Sequence, residues 1–216
     1  MQFDYSAAER FLSYVDGEAQ LSGVWNHSAY KIARKHAEIL GVPFSREDIS
    51  DAVDGKQTAF SHVEDIEKTR EQVVQLMKYV DANEPNWIVR IERQLKRVTP
   101  NEDVSDVPLF LGIGYELGIG LQNGAYLNLN EPLFFRMPRQ LLYVAIHESS
   151  HVLYDRVHSF SSELGPEQLD SQEGHEPCSI RCSIPRRSLR THRSIYGNPM
   201  GTWESSMNPS VTTTAY

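Results

Sequence analysis

The chain has 216 residues, 40% of them apolar, which is enough for one domain with its own core. No stretch approaches the roughly 18 consecutive apolar residues of a membrane-spanning helix. A net charge of −8 argues against nucleic acid or an anionic membrane as a partner.

The first hundred residues read as helices. Met1-Gln2-Phe3-Asp4-Tyr5 has neither a basic nor an apolar leader segment, so the expected location is the cytoplasm, with non-classical export left open. Asp4 or Ser6 can cap a helix running to about Val15 and stopping near Gly17. A second helix is expected from Ser22 to Leu40, ending at Gly41-Val42-Pro43. Ser45-Arg46-Glu47-Asp48 has the form of a capping box and opens a short third helix. A fourth runs from Ser61 to about Val80, with Val63, Ile66, Val73, Val74, Leu76 and Met77 toward a core. A fifth covers Asn86 to Val98 and stops at Pro100. The nine-residue spacing of His27 and His36 does not put them on one helix face, and with His62 they read as structural or exposed.

Strand-like segments follow. Val107 to Gly114 is an apolar run of strand length. Gly124 to Asn130 alternates apolar and polar residues and is bounded by Gly124 and Pro132, which predicts a second strand. After Pro138 the chain becomes apolar nearly all round and predicts a buried helix through Val157. Helices, then strands, then a closing helix define an α+β domain over residues 1–160.

Inside that last helix stands His147-Glu148-Ser149-Ser150-His151, an H-E-x-x-H sequence. Positions i and i+4 share a helix face, so both imidazoles can reach one metal ion. Zinc suits such ligands, and a carboxylate beside the first histidine can act as general base on metal-activated water. Polar groups in a buried helix are costly unless satisfied. The rival reading is a polar patch that meets solvent or a hydrogen-bond network. Asp155 is read either as an acceptor that orients His151 or as a plain surface carboxylate.

The pentapeptide and the strand before it resemble the zincin metallopeptidases over roughly residues 108–158. Tyr154 and Val157 stand where the metzincin pattern needs its glycine and third histidine, and His158 is one residue late. By elimination the resemblance is to the gluzincin branch, whose third ligand is a glutamate on a later helix. It implies Zn2+ held by His147 and His151, Glu148 as catalytic base, and a peptide or protein substrate. It also implies that Gly124–Asn130 is a sheet edge on which the substrate backbone pairs.

The C-terminus breaks the pattern. Residues 1–176 carry 28 acidic and 16 basic side chains, a net of −12, with lysine scarce. That fits adaptation to high salt and fits an ordinary acidic protein equally well. From Pro177 onward there are five arginines and a single acid, Glu204. Serine, threonine and proline replace the hydrophobic periodicity, so residues 161–216 read as a disordered tail. They also read as a translation out of frame. Codons for Cys182 to Arg190, taken one nucleotide earlier, permit F-H-T-E-A-F-A-T, a helix-like string. Its glutamate falls about 35 residues after His151, a spacing open to a third zinc ligand. In the chain as written, Glu163, Glu167, Asp170, Glu173 and Glu176 are the substitute candidates. Cys178 and Cys182, with His175 and His192, receive no role.

The function expected is zinc-dependent peptide hydrolysis, weakened by the missing third ligand. Two alternatives stand beside it. One is a non-catalytic helical interaction protein that keeps a relic of the motif; the other is a frameshifted product without stable function.

Overall fold

A computed structural model describes residues 1–56, 58 and 66–158 of the chain. The elements in order are β1 (Phe3–Asp4), α1 (Ser6–Val15), α2 (Leu21–Trp25), α3 (Ser28–Ile39), α4 (Arg46–Val53) and α5 (Ile66–Val98). Then follow β2 (Leu109–Gly112), β3 (Gly118–Leu121), β4 (Gly124–Asn128), α6 (Pro132–Arg136) and α7 (Gln140–His158). The class is mixed α+β, as the succession of patterns predicts. No helix among the described residues is long and apolar enough to cross a membrane. The tail expected over 161–216, and the first five residues of the helix expected from Ser61, lie outside the described residues.

The four strands form one sheet in the order β1-β2-β4-β3. β1 is parallel to β2 and β2 to β4, while β3 returns antiparallel to β4. Strand side chains alternate between faces, and the register keeps the two sets apart. Phe110 and Tyr126 are paired and face α3, where Phe110 meets the His27 ring edge-on and Tyr126 lies 6.2 Å from Tyr30. Leu109, Leu111, Ala125 and Leu127 occupy the opposite face with Gly118 and Gly120, against α7. With helices on both faces, all five residues of β4 are buried.

Each helix buries one stripe. In α1 the stripe is Ala7, Ala8, Phe11 and Leu12; in α3 it includes Ala29, Tyr30, Ala33 and Ala37. The capping box at Ser45 is present: Ser45 Oγ accepts from the Asp48 N–H, and the Asp48 carboxylate accepts from the Ser45 N–H at 2.6 Å.

The elements differ from expectation in three main respects, beyond strands that end a residue or two early. The helix expected over Ser22–Leu40 is two, because His27 leaves helical geometry and caps α3 with its own ring. The helices expected to part between Val80 and Asn86 are one, α5, which carries Pro85 inside it. A proline there forfeits a hydrogen bond and costs about 3 kcal/mol. Burial of Val73, Leu76, Val80, Trp87, Ile91 and Leu95 along one unbroken stripe offsets that cost. Finally β1, β3 and α6 were not anticipated. β1 has two residues, β3 is half glycine, and α6 is a single turn opened by Pro132 with Glu131 as its cap.

Candidate metal centre

α7 is buried along most of its length, from Leu141 and Leu142 to Val152 and Leu153. His147 emerges at the surface and His151 is half-buried, while Glu148 is turned inward at 8% exposure. The two imidazoles stand at 84° to each other, with their Nε2 atoms 3.0 Å apart. Desolvation by the surrounding protein lowers the pKa of His147 despite its exposed edge; burial and then the neighbouring His147 push His151 down to about 4. Both rings are therefore neutral near pH 7, the form in which imidazole binds a metal.

At this distance the two Nε2 atoms share a hydrogen bond, and their spacing is also near that of two ligands on one ion. Two nitrogens about 2.0–2.1 Å from one tetrahedral zinc stand roughly 3.3–3.4 Å apart, so the rings are within a few tenths of an ångström of that spacing. Among the described residues no group of three His, Cys, Asp or Glu side chains converges on one point. Glu163, Glu167, Asp170, Glu173 and Glu176 lie outside the described residues, as do Cys178 and Cys182. The described site thus has two imidazole donors and an adjacent carboxylate.

The strand beside this site is β3. A Cβ placed on Gly118 would fall 2.8 Å from Val144 Cγ1 and 2.9 Å from Glu148 Cγ; one on Gly120 would fall 2.0 Å from the Glu148 carbonyl oxygen. Only glycine lets the strand lie this close to the helix. Among the described residues β3 is one of the two outer strands of the sheet, with β1 on the other side. The expectation that Gly124–Asn130 forms the edge is corrected here, because β4 is paired on both sides, to β2 and to β3.

The ladder fixes which groups face outward. The Asn128 N–H donates to the Leu117 carbonyl, making these two a hydrogen-bonded pair. Such pairs alternate along an antiparallel ladder, so Ile119 and Leu121 also bond to β4. The backbone groups of Gly118 and Gly120 consequently point away from the sheet, on the side of β3 that no described strand pairs with, above Glu148 and His151.

Asp155 is neither a surface carboxylate nor loosely held. It is 5% exposed, and its Oδ2 accepts from the Gln122 N–H at 2.7 Å. Arg156 Nε donates to the Gln122 carbonyl at 3.1 Å and its Nη1 bonds Asp106 Oδ1 at 2.7 Å. The turn after β3 is thereby tied to α7 through both backbone groups of Gln122. On the other side, Tyr30 Oη donates to the Ile113 carbonyl, Asn128 Oδ1 accepts from the Gly114 N–H, and Tyr126 Oη accepts from the Tyr115 N–H. The loop into β3 is therefore as firmly held as the turn out of it. Sequence reasoning missed β3 altogether; the only sign of it was the Gly-x-Gly-x spacing before Gly124.

His27 and His36 have structural places, as expected. His27 caps α3, and the His36 ring packs edge-on against Tyr115. His62 lies outside the described residues. The chain matches no protein-family model, no curated protein and no solved structure.

Proposed function

We propose that this chain is a zinc-dependent hydrolase of peptide bonds, as its resemblance to the zincins implies. The observation that carries the reading is the convergence of His147 Nε2 and His151 Nε2 to 3.0 Å, with Glu148 next to them on the same helix. His147 and His151 would hold Zn2+, which when bound supplies a Lewis acid for the scissile carbonyl and a more acidic water. Glu148 would serve as the general base toward such a water and would return the proton to the departing amine. An extended peptide or protein segment pairs with the outward backbone groups of Gly118 and Gly120. The net charge of −12 over residues 1–176 supports a substrate other than nucleic acid.

A catalytic zinc takes three protein ligands as a rule. With two donors, binding is weak and turnover low. The test is zinc titration of the full chain by calorimetry, together with hydrolysis of fluorescein-labelled casein. Saturable zinc binding that His147→Ala removes, and zinc-dependent cleavage that Glu148→Gln removes while zinc stays, support the reading. Absence of saturable binding at millimolar zinc would sink it.

The two-donor site also favours a second reading, a non-catalytic interaction protein with a relic motif. In that case Glu148→Gln changes neither cleavage nor any binding of the chain.

A further inference from the structure

Away from the histidine pair, a second histidine sits where three elements meet. His27 precedes α3 in extended conformation, and its Nδ1 accepts from the Ala29 N–H at 3.2 Å. That bond requires Nδ1 to be bare, so the ring proton is on Nε2. Nε2 lies 2.9 Å from Ser6 Oγ, at the first residue of α1, and so donates to it. Ser6 Oγ in turn donates to Asp4 Oδ1 at 2.5 Å, and the Ser6 N–H bonds the same oxygen at 2.9 Å. The relay runs from α3 through the imidazole to α1 and ends on a carboxylate of β1. Its direction is set throughout: Ala29 N–H to His27, His27 to Ser6, Ser6 to Asp4.

We infer that His27 is an acid-released latch: one proton on Nδ1 removes the cap of α3 and turns the ring from acceptor to donor. A protonated Nδ1 faces the Ala29 N–H donor to donor, so the bond becomes a repulsion. An imidazolium at a helix N-terminus also opposes the helix dipole. Three charged groups act on the ring. Asp4 of β1 favours its protonation, while Arg10 of α1 and Lys31 of α3 oppose it. Phe110 of β2 packs edge-on against it and brings no charge. From α2 and its end, Ser22, Gly23 and Asn26 share with the ring an open cleft, again without charge. Burial outweighs Asp4 and lowers the pKa below the ordinary histidine value.

The sign follows. The unfolded or uncapped form binds the proton first, so the cap is fully present above the ordinary histidine pKa of about 6.5 and is lost as pH falls from there through the lowered value of the capped ring. Release frees the first turn of α3 at the wall of the cleft that His27 and Arg10 line. It does not touch the histidine pair on α7, so it holds whether or not the chain binds zinc.

Amide exchange on the full chain between pH 7.5 and 5, corrected for intrinsic rates, tests the latch. Protection of Ala29 should fall about fivefold on acidification, the size of a lost N-cap. In His27→Asn, whose side chain caps helices without titrating, protection at Ala29 should be flat across this range. Equal pH slopes in the two proteins would overturn the latch. A second measurement needs no variant: nitrogen NMR of the imidazoles at pH 7.5 should find the His27 proton on Nε2, and a proton on Nδ1 would refute the relay.

Discussion

Among the described glycines the one with least room for a side chain, and so the sharpest place to perturb the packing, is Gly120 on β3. A methyl at this position would stand 2.0 Å from the Glu148 carbonyl oxygen, 2.9 Å from the Glu148 carbonyl carbon and 2.8 Å from His151 Cβ. To reach ordinary contact at 3.4 Å, strand and helix must part by about 1.4 Å. The obstacle is backbone, which no rotamer change relieves. The Gln122 clamp and the pairing with β4 resist the movement at the end of the strand. Overpacking of this kind costs about 1–3 kcal/mol, and a backbone obstacle puts Gly120→Ala toward the upper half. The gain from a stiffer unfolded chain returns about 0.4–1 kcal/mol, for a net loss near 2 kcal/mol. At Gly118 the nearest atoms are side chain rather than backbone, the stiff, buried Val144 Cγ1 at 2.8 Å and the longer Glu148 side chain at 2.9 Å, of which only Glu148 can shift. Gly118→Ala should therefore cost less than Gly120→Ala, about 1–2 kcal/mol, and it should act mainly by displacing the Glu148 carboxylate. Urea unfolding of the full chain, followed by circular dichroism, reads both variants at unchanged slope. If Gly118→Ala proves the more damaging, or Gly120→Ala is neutral, the close packing of β3 on α7 is refuted.

Other substitutions probe separate parts of the argument. Asp155→Ala leaves the Gln122 N–H without its carboxylate and should destabilise the chain by about 2–3 kcal/mol in urea unfolding; a loss under ~0.5 kcal/mol would show that the clamp is idle. Glu116 is the one non-glycine residue with positive φ among those described, at 48°. Since the left-handed conformation costs an L-residue about 1–2 kcal/mol and glycine entropy takes back part of this, Glu116→Gly should be stabilising by up to about 1 kcal/mol; clear destabilisation in the same assay would contradict this. His36, pushed down to about 4 by burial, ionises first in the unfolded chain. Its share of stability is whole above pH 6.5 and lost as pH falls toward 4, at most about 3 kcal/mol. His36→Gln should flatten stability against pH across that window, and an unchanged slope would show that the ring titrates freely.

The elements legible in the sequence are those whose signal is local. The helix around His147 announces itself by an apolar run after Pro138, and α4 by the reciprocal bonds of Ser45 and Asp48. β2 follows from the apolar run near Leu109, and β4 from the apolar–polar alternation between Gly124 and Pro132. What escaped is what only tertiary packing decides. Apolar residues run on through Val24, Ala29 and Tyr30, so nothing in their spacing marks the break that the His27 ring imposes. Pro85 marks a break that the stripe from Val80 to Trp87 overrides. Strand β3 carries glycine at both positions that face α7, and a missing side chain leaves no periodicity to read. That omission moved the open edge of the sheet onto the wrong strand. It also bears on the proposed chemistry. The identity of the histidine pair was readable from its i, i+4 spacing, but its surroundings were not. The backbone groups that the proposed function offers to a peptide belong to Gly118 and Gly120, and Asp155 and Arg156, a turn beyond the second histidine, hold the end of that strand in place. Helix and edge are therefore one mechanical unit. A change that moves β3 moves the peptide-pairing groups relative to His147 and His151 even when neither histidine is touched, so losses of zinc affinity and of cleavage should separate in variants of the clamp and coincide in variants of the histidines.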